Sequence, residues 1–223
     1  MIQESHIRVT RTARYYTLGG DVAAPREVWF ACHGYGQLAA YFARNFVPLD
    51  DGTRVVVVPE ALSRFYFGDP RGPHSADSLV GATWMTREDR EREIEDHVAY
   101  LDALYARVRG EPGRAQAPVT VLGFSQGVAT ACRWLARGAA RADRLVLWGG
   151  RLPADLFPLA AGSPLRSVRL TVVVGDQDEW ATPAVVAEQE TLLRAAGLAY
   201  DVRRFSGGHA MDEAVLRQLA ARA

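Results

Sequence analysis

Gly123-Phe-Ser-Gln-Gly127 follows an apolar β-branched run, Val119 to Leu122, and opens a helical pattern that begins at Gln126. A serine between two glycines at such a junction sits on a turn tight enough to lift its hydroxyl clear of the backbone, the way a nucleophile is presented. Composition alone would produce the pattern about 0.06 times in this chain, so a glycine-rich turn with an incidental serine is the weaker reading. Serine is a poor nucleophile at its own pKa and needs a base, which in turn needs an acid to orient it. Two later segments that read as strands end in such groups. Leu170 to Val174 leads into Gly175-Asp-Gln-Asp178, and Tyr200 to Phe205 leads into Ser206-Gly-Gly-His209. The chemistry implied is acyl transfer through Ser125 and His209, with Asp178 or Asp176 as the acid; either aspartate could instead bond its own turn.

An acyl-transfer site also needs N–H donors for the oxyanion. The residue after the nucleophile, Gln126, supplies one. The second is expected from His33-Gly-Tyr-Gly-Gln37, which follows the apolar run Val28 to Cys32, and Tyr35 is the chosen donor. A plain glycine turn is the competing reading of that segment. The other histidines compete poorly as the base: His6 lies in the N-terminal segment, His74 in an irregular stretch, and His97 among charges on a helical pattern.

These groups need a scaffold that brings distant segments to one edge. Continuous apolar runs at 28–32, 55–58, 119–122, 145–148 and 170–174 read as strands buried on both faces, as in a parallel sheet. His6 to Leu18 reads as one or two edge strands. Helical patterns lie between the runs: one from a capping-box-like Thr86 through Ile94, Val98, Leu101, Leu104, Tyr105 and Val108, with Arg87–Glu91 and Glu88–Arg92 as surface pairs. A second spans Gln126 to about Arg137, a third runs from Thr182-Pro183 to near Gly197, and a last follows Met211. Alternating strands and helices predict one three-layer α/β domain over residues 1–223 with a mostly parallel central sheet, and ligands at the carboxyl ends of its strands. Pro59 to Met85 reads as one long irregular loop.

Composition narrows the function. The 26 basic residues, all arginine, balance 26 acidic ones, so a nucleic-acid or membrane-surface partner has no electrostatic support. Without lysine, Schiff-base and P-loop chemistry are excluded. Cys32 and Cys132 lie in apolar stretches and read as buried thiols, neither a disulfide framework nor a zinc site. The first residues show no signal-peptide pattern and no apolar run is long enough for a membrane span, so the expected location is cytoplasmic.

Together, His33-Gly-Tyr-Gly, Gly123-Phe-Ser-Gln-Gly127, Gly175-Asp-Gln-Asp178 and Gly208-His209, in that order, resemble the phospholipase/carboxylesterase family of α/β-hydrolases, which includes acyl-protein thioesterases and small bacterial esterases. The resemblance extends over nearly the whole chain. It implies an α/β-hydrolase fold, Asp178 as the acid, Tyr35 and Gln126 as oxyanion donors, and no metal or organic cofactor. Family thioesterases carry a leucine after His-Gly and a Pro-rich segment before a Trp-Phe-Asp-like motif. Here Tyr35 and Gly81-Ala-Thr-Trp-Met-Thr-Arg-Glu-Asp89 stand in those places. With Glu60 to Phe67, they are similar to a subgroup of bacterial esterases, so the fold and triad carry over while the protein-thioesterase substrate does not.

The expected activity is hydrolysis of a small carboxylic ester. A thioesterase or lysophospholipase using the same groups is the alternative, and a non-catalytic binding protein on this fold a distant one. Tyr35, Phe65, Tyr66, Trp84, Trp180 and Met211 fall near the expected strand ends and suggest an aromatic-walled cleft for short-acyl or aromatic esters, with ordinary core packing as the rival reading of each.

Overall fold

The computed structural model describes residues 1–69 and 72–221. Its elements, in chain order, are β1 (Tyr15–Leu18), β2 (Glu27–Cys32), α1 (Ala39–Phe42), β3 (Arg54–Pro59), β4 (Ser63–Tyr66), β5 (Val80–Thr83), α2 (Arg90–Arg109), β6 (Val119–Phe124), α3 (Gln126–Arg137), β7 (Arg144–Trp148), β8 (Arg169–Gly175), α4 (Pro183–Ala195), β9 (Tyr200–Phe205) and α5 (Glu213–Ala221). Seven strands form one sheet in the order β1-β3-β2-β6-β7-β8-β9. Only β1 runs antiparallel, pairing with β3 at the edge. The five apolar runs read as doubly buried strands are β2, β3, β6, β7 and β8.

Side-chain alternation divides the core into two layers. Phe30, Val57, Val121, Leu145 and Val172 face one layer, filled by Ile94, Leu101 and Val108 of α2, Trp134 of α3 and Leu193 of α4. Trp29, Val56, Leu122, Val146 and Val173 face the other, filled by Phe42, Phe46 and by Val215, Leu216 and Leu219 of α5. Burial on both faces explains why these strands are continuously apolar. Cys32 and Cys132 are buried free thiols, and burial pushes that of Cys132 up to about 12. Among the described residues, no helix is long and apolar enough to cross a membrane.

Three expectations need correction. Regular strand structure in the N-terminal stretch is limited to Tyr15–Leu18; residues 1–14 lack it, because β3 offers edge partners only from Val56 to Pro59. Pro59 to Met85 is not uniformly irregular, since β4 and β5 pair there as an antiparallel hairpin with Ser63 opposite Thr83 and Tyr66 opposite Val80. The long helix begins at Arg90, so Thr86 does not cap it. Asp89, at φ 45°, turns the chain into it, while Thr86 donates through its N–H and hydroxyl to Glu93. Arg87 and Glu88 thus precede the helix, and their i,i+4 pairs do not form among the described residues. Arg90 and Arg137 reach Asp155 instead, joined by the nearly buried Arg133.

His33 and His97 are buried in this core and stay neutral. His33 Nδ1 lies 2.7 Å from Gly34 O and its Nε2 accepts the Ala61 N–H at 3.0 Å. His97 Nδ1 lies 3.2 Å from Trp84 O, and its Nε2 has no partner among the described residues. Burial lowers the pKa of each from 6.5 to about 4. The neutral form is therefore favoured on folding, so this contribution to stability is complete above about 6.5 and is lost as pH falls towards about 4. Urea unfolding between pH 7 and 5 should show stability falling on acidification, by at most about 1.4 kcal/mol per pH unit for each histidine. His97→Leu should flatten that slope; an unchanged slope would mean that His97 is not held neutral.

Candidate active site

The site is built where neighbouring parallel strands end together. β2 and β6 lie side by side with Cys32 opposite Gly123, although some ninety residues separate them in the chain. β3 and β1 lie beyond β2 on one side and β7, β8 and β9 beyond β6 on the other. The chain direction across the sheet thus reverses between β2 and β6, the place where open α/β sheets form a crevice. The loop after β2 carries His33 to Gln37, and the turn after β6 carries Ser125.

Ser125 adopts φ 53° and ψ −117°, a backbone conformation that non-glycine residues rarely take. The flanking glycines make the turn possible. A Cβ on Gly123 would lie 2.3 Å from Gly127 O, and one on Gly127 would lie 2.1 Å from Cys32 O, both backbone collisions. Ser125 N–H donates to Trp148 O at 2.9 Å, and Ser125 O accepts the Val128 N–H at 3.0 Å as α3 begins. The turn is therefore tied to β7 behind it and to the helix ahead.

Asp178 follows β8 and His209 follows β9. The two meet with Asp178 Oδ2 2.8 Å from His209 Nδ1. Asp178 Oδ1 accepts the N–H groups of Trp180 and Ala181, each at 2.8 Å. Burial raises the pKa of this carboxyl, but the Ala181 N–H, the His209 ring and the Trp180 N–H together outweigh it and hold Asp178 below the ordinary carboxylate range. An ionised Asp178 fixes the proton of a neutral His209 on Nδ1, leaving Nε2 as the basic ring position. The imidazole packs 4.9 Å from the ring of Phe124, the residue before Ser125, and Trp148 Nε1 donates to Ala210 O at 2.9 Å. Asp176 turns to its own loop, where it accepts the Gly207 N–H at 3.0 Å. Of the other histidines weighed, His6 bonds Asp89 at 2.9 Å, His74 stacks on Tyr66, and His97 packs on Trp84.

The loop after β2 approaches Ser125 closely, since a Cβ on Gly34 would lie 3.1 Å from Ser125 Cβ. Gly34 N–H and Gly36 N–H are engaged by Gln37 Oε1 and Ala82 O at 2.8 Å each. The N–H groups of Tyr35 and Gln126 have no acceptor among the described residues. The Gln126 amide itself is locked: Oε1 accepts the Trp84 N–H at 3.1 Å, and Nε2 donates to Thr83 Oγ1 and Met85 O at 2.9 Å. The sequence reading overlooked this lock, as well as His33 holding Ala61. Polar residues inside a glycine-rich motif were the available signal.

The cleft beside Ser125 has a volume of about 260 Å³ and is lined by Ser125, Gln126, Ala129, Gly149, Gly150, Arg151 and Trp180. Of the aromatic and apolar residues expected to wall it, Trp180 alone is in this lining, with 71% of its surface exposed. Trp84 is 2% exposed and belongs to the core, its ring 5.0 Å from that of His33. Tyr35 and Phe65 stack on each other at 5.2 Å, Tyr66 stacks on His74, and Met211 packs against the core layer that contains α5. The cleft is thus less aromatic than expected, and it contains an arginine that no motif indicated.

No family model matches the chain, and no curated protein sequence matches it. Solved structures do. Esterase PE8 superposes with a TM-score of 0.70 at 19% identity, over 95% of this chain and 98% of that one. A carboxylesterase from Mesorhizobium loti gives 0.69 at 22% identity over 95% of each chain. Zea mays acyl-protein thioesterase 2 gives 0.68 at 18% identity, over 94% and 99% respectively. With its seven-stranded, mostly parallel sheet between helical layers, the chain has the α/β-hydrolase fold.

Proposed function

We propose that this chain is a serine hydrolase that cleaves small carboxylic esters through an acyl-enzyme, within a single domain and in the cytoplasm. The observation that carries the reading is the 2.8 Å bond between Asp178 and His209, made at the same sheet edge as the strained turn at Ser125. Ser125 Oγ attacks the ester carbonyl while His209 Nε2 takes its proton. The oxyanion develops against the free N–H groups of Tyr35 and Gln126. The carbonyl re-forms as the alcohol leaves, protonated by His209, and water, deprotonated by the same ring, releases the acid. Asp178 holds the tautomer throughout and stabilises the imidazolium. No step requires a metal or an organic cofactor.

Acyl thioesters, or the oxygen esters of lysophospholipids, are the alternative substrates for the same machinery. We read the cleft, about 260 Å³ and partly open to solvent, as a site for short-acyl or aromatic esters. The two buried, unpaired thiols are compatible with a reducing compartment.

Ser125→Ala should fold normally and lose about 10⁴- to 10⁶-fold in kcat, together with labelling by a serine-reactive phosphonate. Retention of a tenth of the activity would remove Ser125 from the mechanism. Asp178→Asn should cost far more activity than Asp176→Asn, and the opposite ranking would exchange their roles. Trp180→Ala should change the relative kcat/KM of short aliphatic and aromatic esters by about 1–3 kcal/mol without abolishing turnover. An unchanged ranking across an ester series would place Trp180 outside the substrate's reach.

A further inference from the structure

Among the described residues, Arg151 is the one charged side chain in the cleft lining. Its backbone is fixed on both sides. Gly149 N–H donates to Val173 O at 2.9 Å, and Leu152 N–H donates to the Gln189 side chain. Gly150 passes so close beneath the nucleophile that a Cβ there would lie 2.3 Å from Ser125 O. The chain emerging from that contact has Arg151 as its first side chain, on a rigid base beside Ser125.

The guanidinium is available. Its partner is Glu188 of α4 at 3.1 Å, and both side chains are 59% exposed, a setting in which an ion pair contributes little. Arg133, by contrast, is 4% exposed and committed to Asp155, and Arg144 is similarly tied to Glu27. An arginine with a weak, solvent-exposed partner can exchange it for a substrate anion bound in two-pronged geometry. Ser125 and Arg151 line the same cleft, so a small ligand seated there with its scissile carbonyl at the serine brings its remaining groups alongside the guanidinium.

We propose that Arg151 makes this cleft selective for small esters that carry a carboxylate a few bonds from the scissile carbonyl, on either the acyl or the alcohol side. The inference rests on the ester-hydrolase reading and deepens it. Arg151 is a specificity-determining residue: it touches the substrate's remote anion and takes no part in proton transfer. Glu188 competes with the substrate for it.

Two matched ester pairs test this, with buffer-only rates subtracted. Phenyl butyrate against phenyl hydrogen succinate places the charge on the acyl side, and phenyl acetate against 4-acetoxybenzoate places it on the alcohol side. The readout is the charged-to-neutral ratio of kcat/KM within each pair, in the parent protein and in variants. Arg151→Ala should lower that ratio about 10- to 100-fold in at least one pair, and Arg151→Glu should lower it further. Glu188→Gln should raise it a few-fold, and added salt should reduce it in the parent protein. The pair that responds identifies the side bearing the charge. Ratios that change less than about twofold in both pairs, while the neutral esters are cleaved and the phosphonate labels Ser125, would overturn the role of Arg151 and leave the hydrolase reading standing. If the parent protein cleaves none of the four and resists the phosphonate, the hydrolase reading itself fails and takes this inference with it.

Discussion

Everything at the carboxyl edge depends on a strained backbone at Ser125. Left to itself, a non-glycine residue at φ 53° and ψ −117° would relax at a gain of about 1–3 kcal/mol. Here relaxation is blocked by backbone crossing backbone. Gly127 lies against the Cys32 carbonyl at the end of β2, Gly123 lies against Gly127, and the Ser125 N–H is held by Trp148 O of β7. Three neighbouring strands therefore position one serine, and a side chain at either glycine would separate the layers that hold it.

The strand order imposes a second constraint. β7 lies between β6, which leads to Ser125, and β8, which leads to Asp178, so the chain leaving β7 must pass beneath both. Gly149 and Gly150 make that passage. At Gly149, with φ 57°, a Cβ would lie 3.1 Å from Asp178 Oδ2 and 3.3 Å from the His209 ring. Bare backbone there lets Asp178 and His209 meet, while the two N–H bonds to Oδ1 keep a buried carboxylate ionised. The same glycine pair explains why Arg151 stands where it does, as the first side chain after a stretch that has room for none.

The buried strands were legible because a parallel sheet covered on both faces writes itself as unbroken apolar runs; Ser125 and Asp178 stood out because each comes soon after such a run, whereas His209 follows the half-exposed, charged β9 and stood out through the glycines before it. The hairpin β4–β5 was not. Ser63 to Tyr66 and Val80 to Thr83 are four-residue strands whose partners are separated by a glycine- and proline-rich stretch, too short for periodicity to register. Trp84 misled for a related reason, since an aromatic residue near a strand end suits a cleft wall and a core plug equally, and only its contacts with His33 and His97 separate the two. The start of α2 depends on Asp89 taking a left-handed turn and on Glu93 serving Thr86, neither of which a local capping pattern encodes. Arg151 belongs to no motif; its significance comes from a fold-level neighbour, Ser125, twenty-six residues earlier.

The hairpin belongs to the candidate site through polar ties, even though it is absent from the cleft lining. Glu60, wholly buried at the end of β3, accepts from Arg14 at 2.6 Å, from Arg64 of β4 at 2.7 Å and from the Ala39 N–H at 3.2 Å. The next residue, Ala61, donates to His33, whose carbonyl in turn receives Trp84 Nε1 at 2.8 Å. From Trp84 and Thr83 the path continues into the Gln126 amide. The two N–H groups suited to an oxyanion thus lie on segments bridged by a single excursion between β3 and α2. Exposed aromatic stacking of Tyr35 on Phe65 could not fix them to within a few tenths of an ångström, because such contacts tolerate sliding. Directional hydrogen bonds among buried groups can, and their need for a neutral histidine acting as donor on one face and acceptor on the other accounts for His33 rather than an apolar residue at the end of β2.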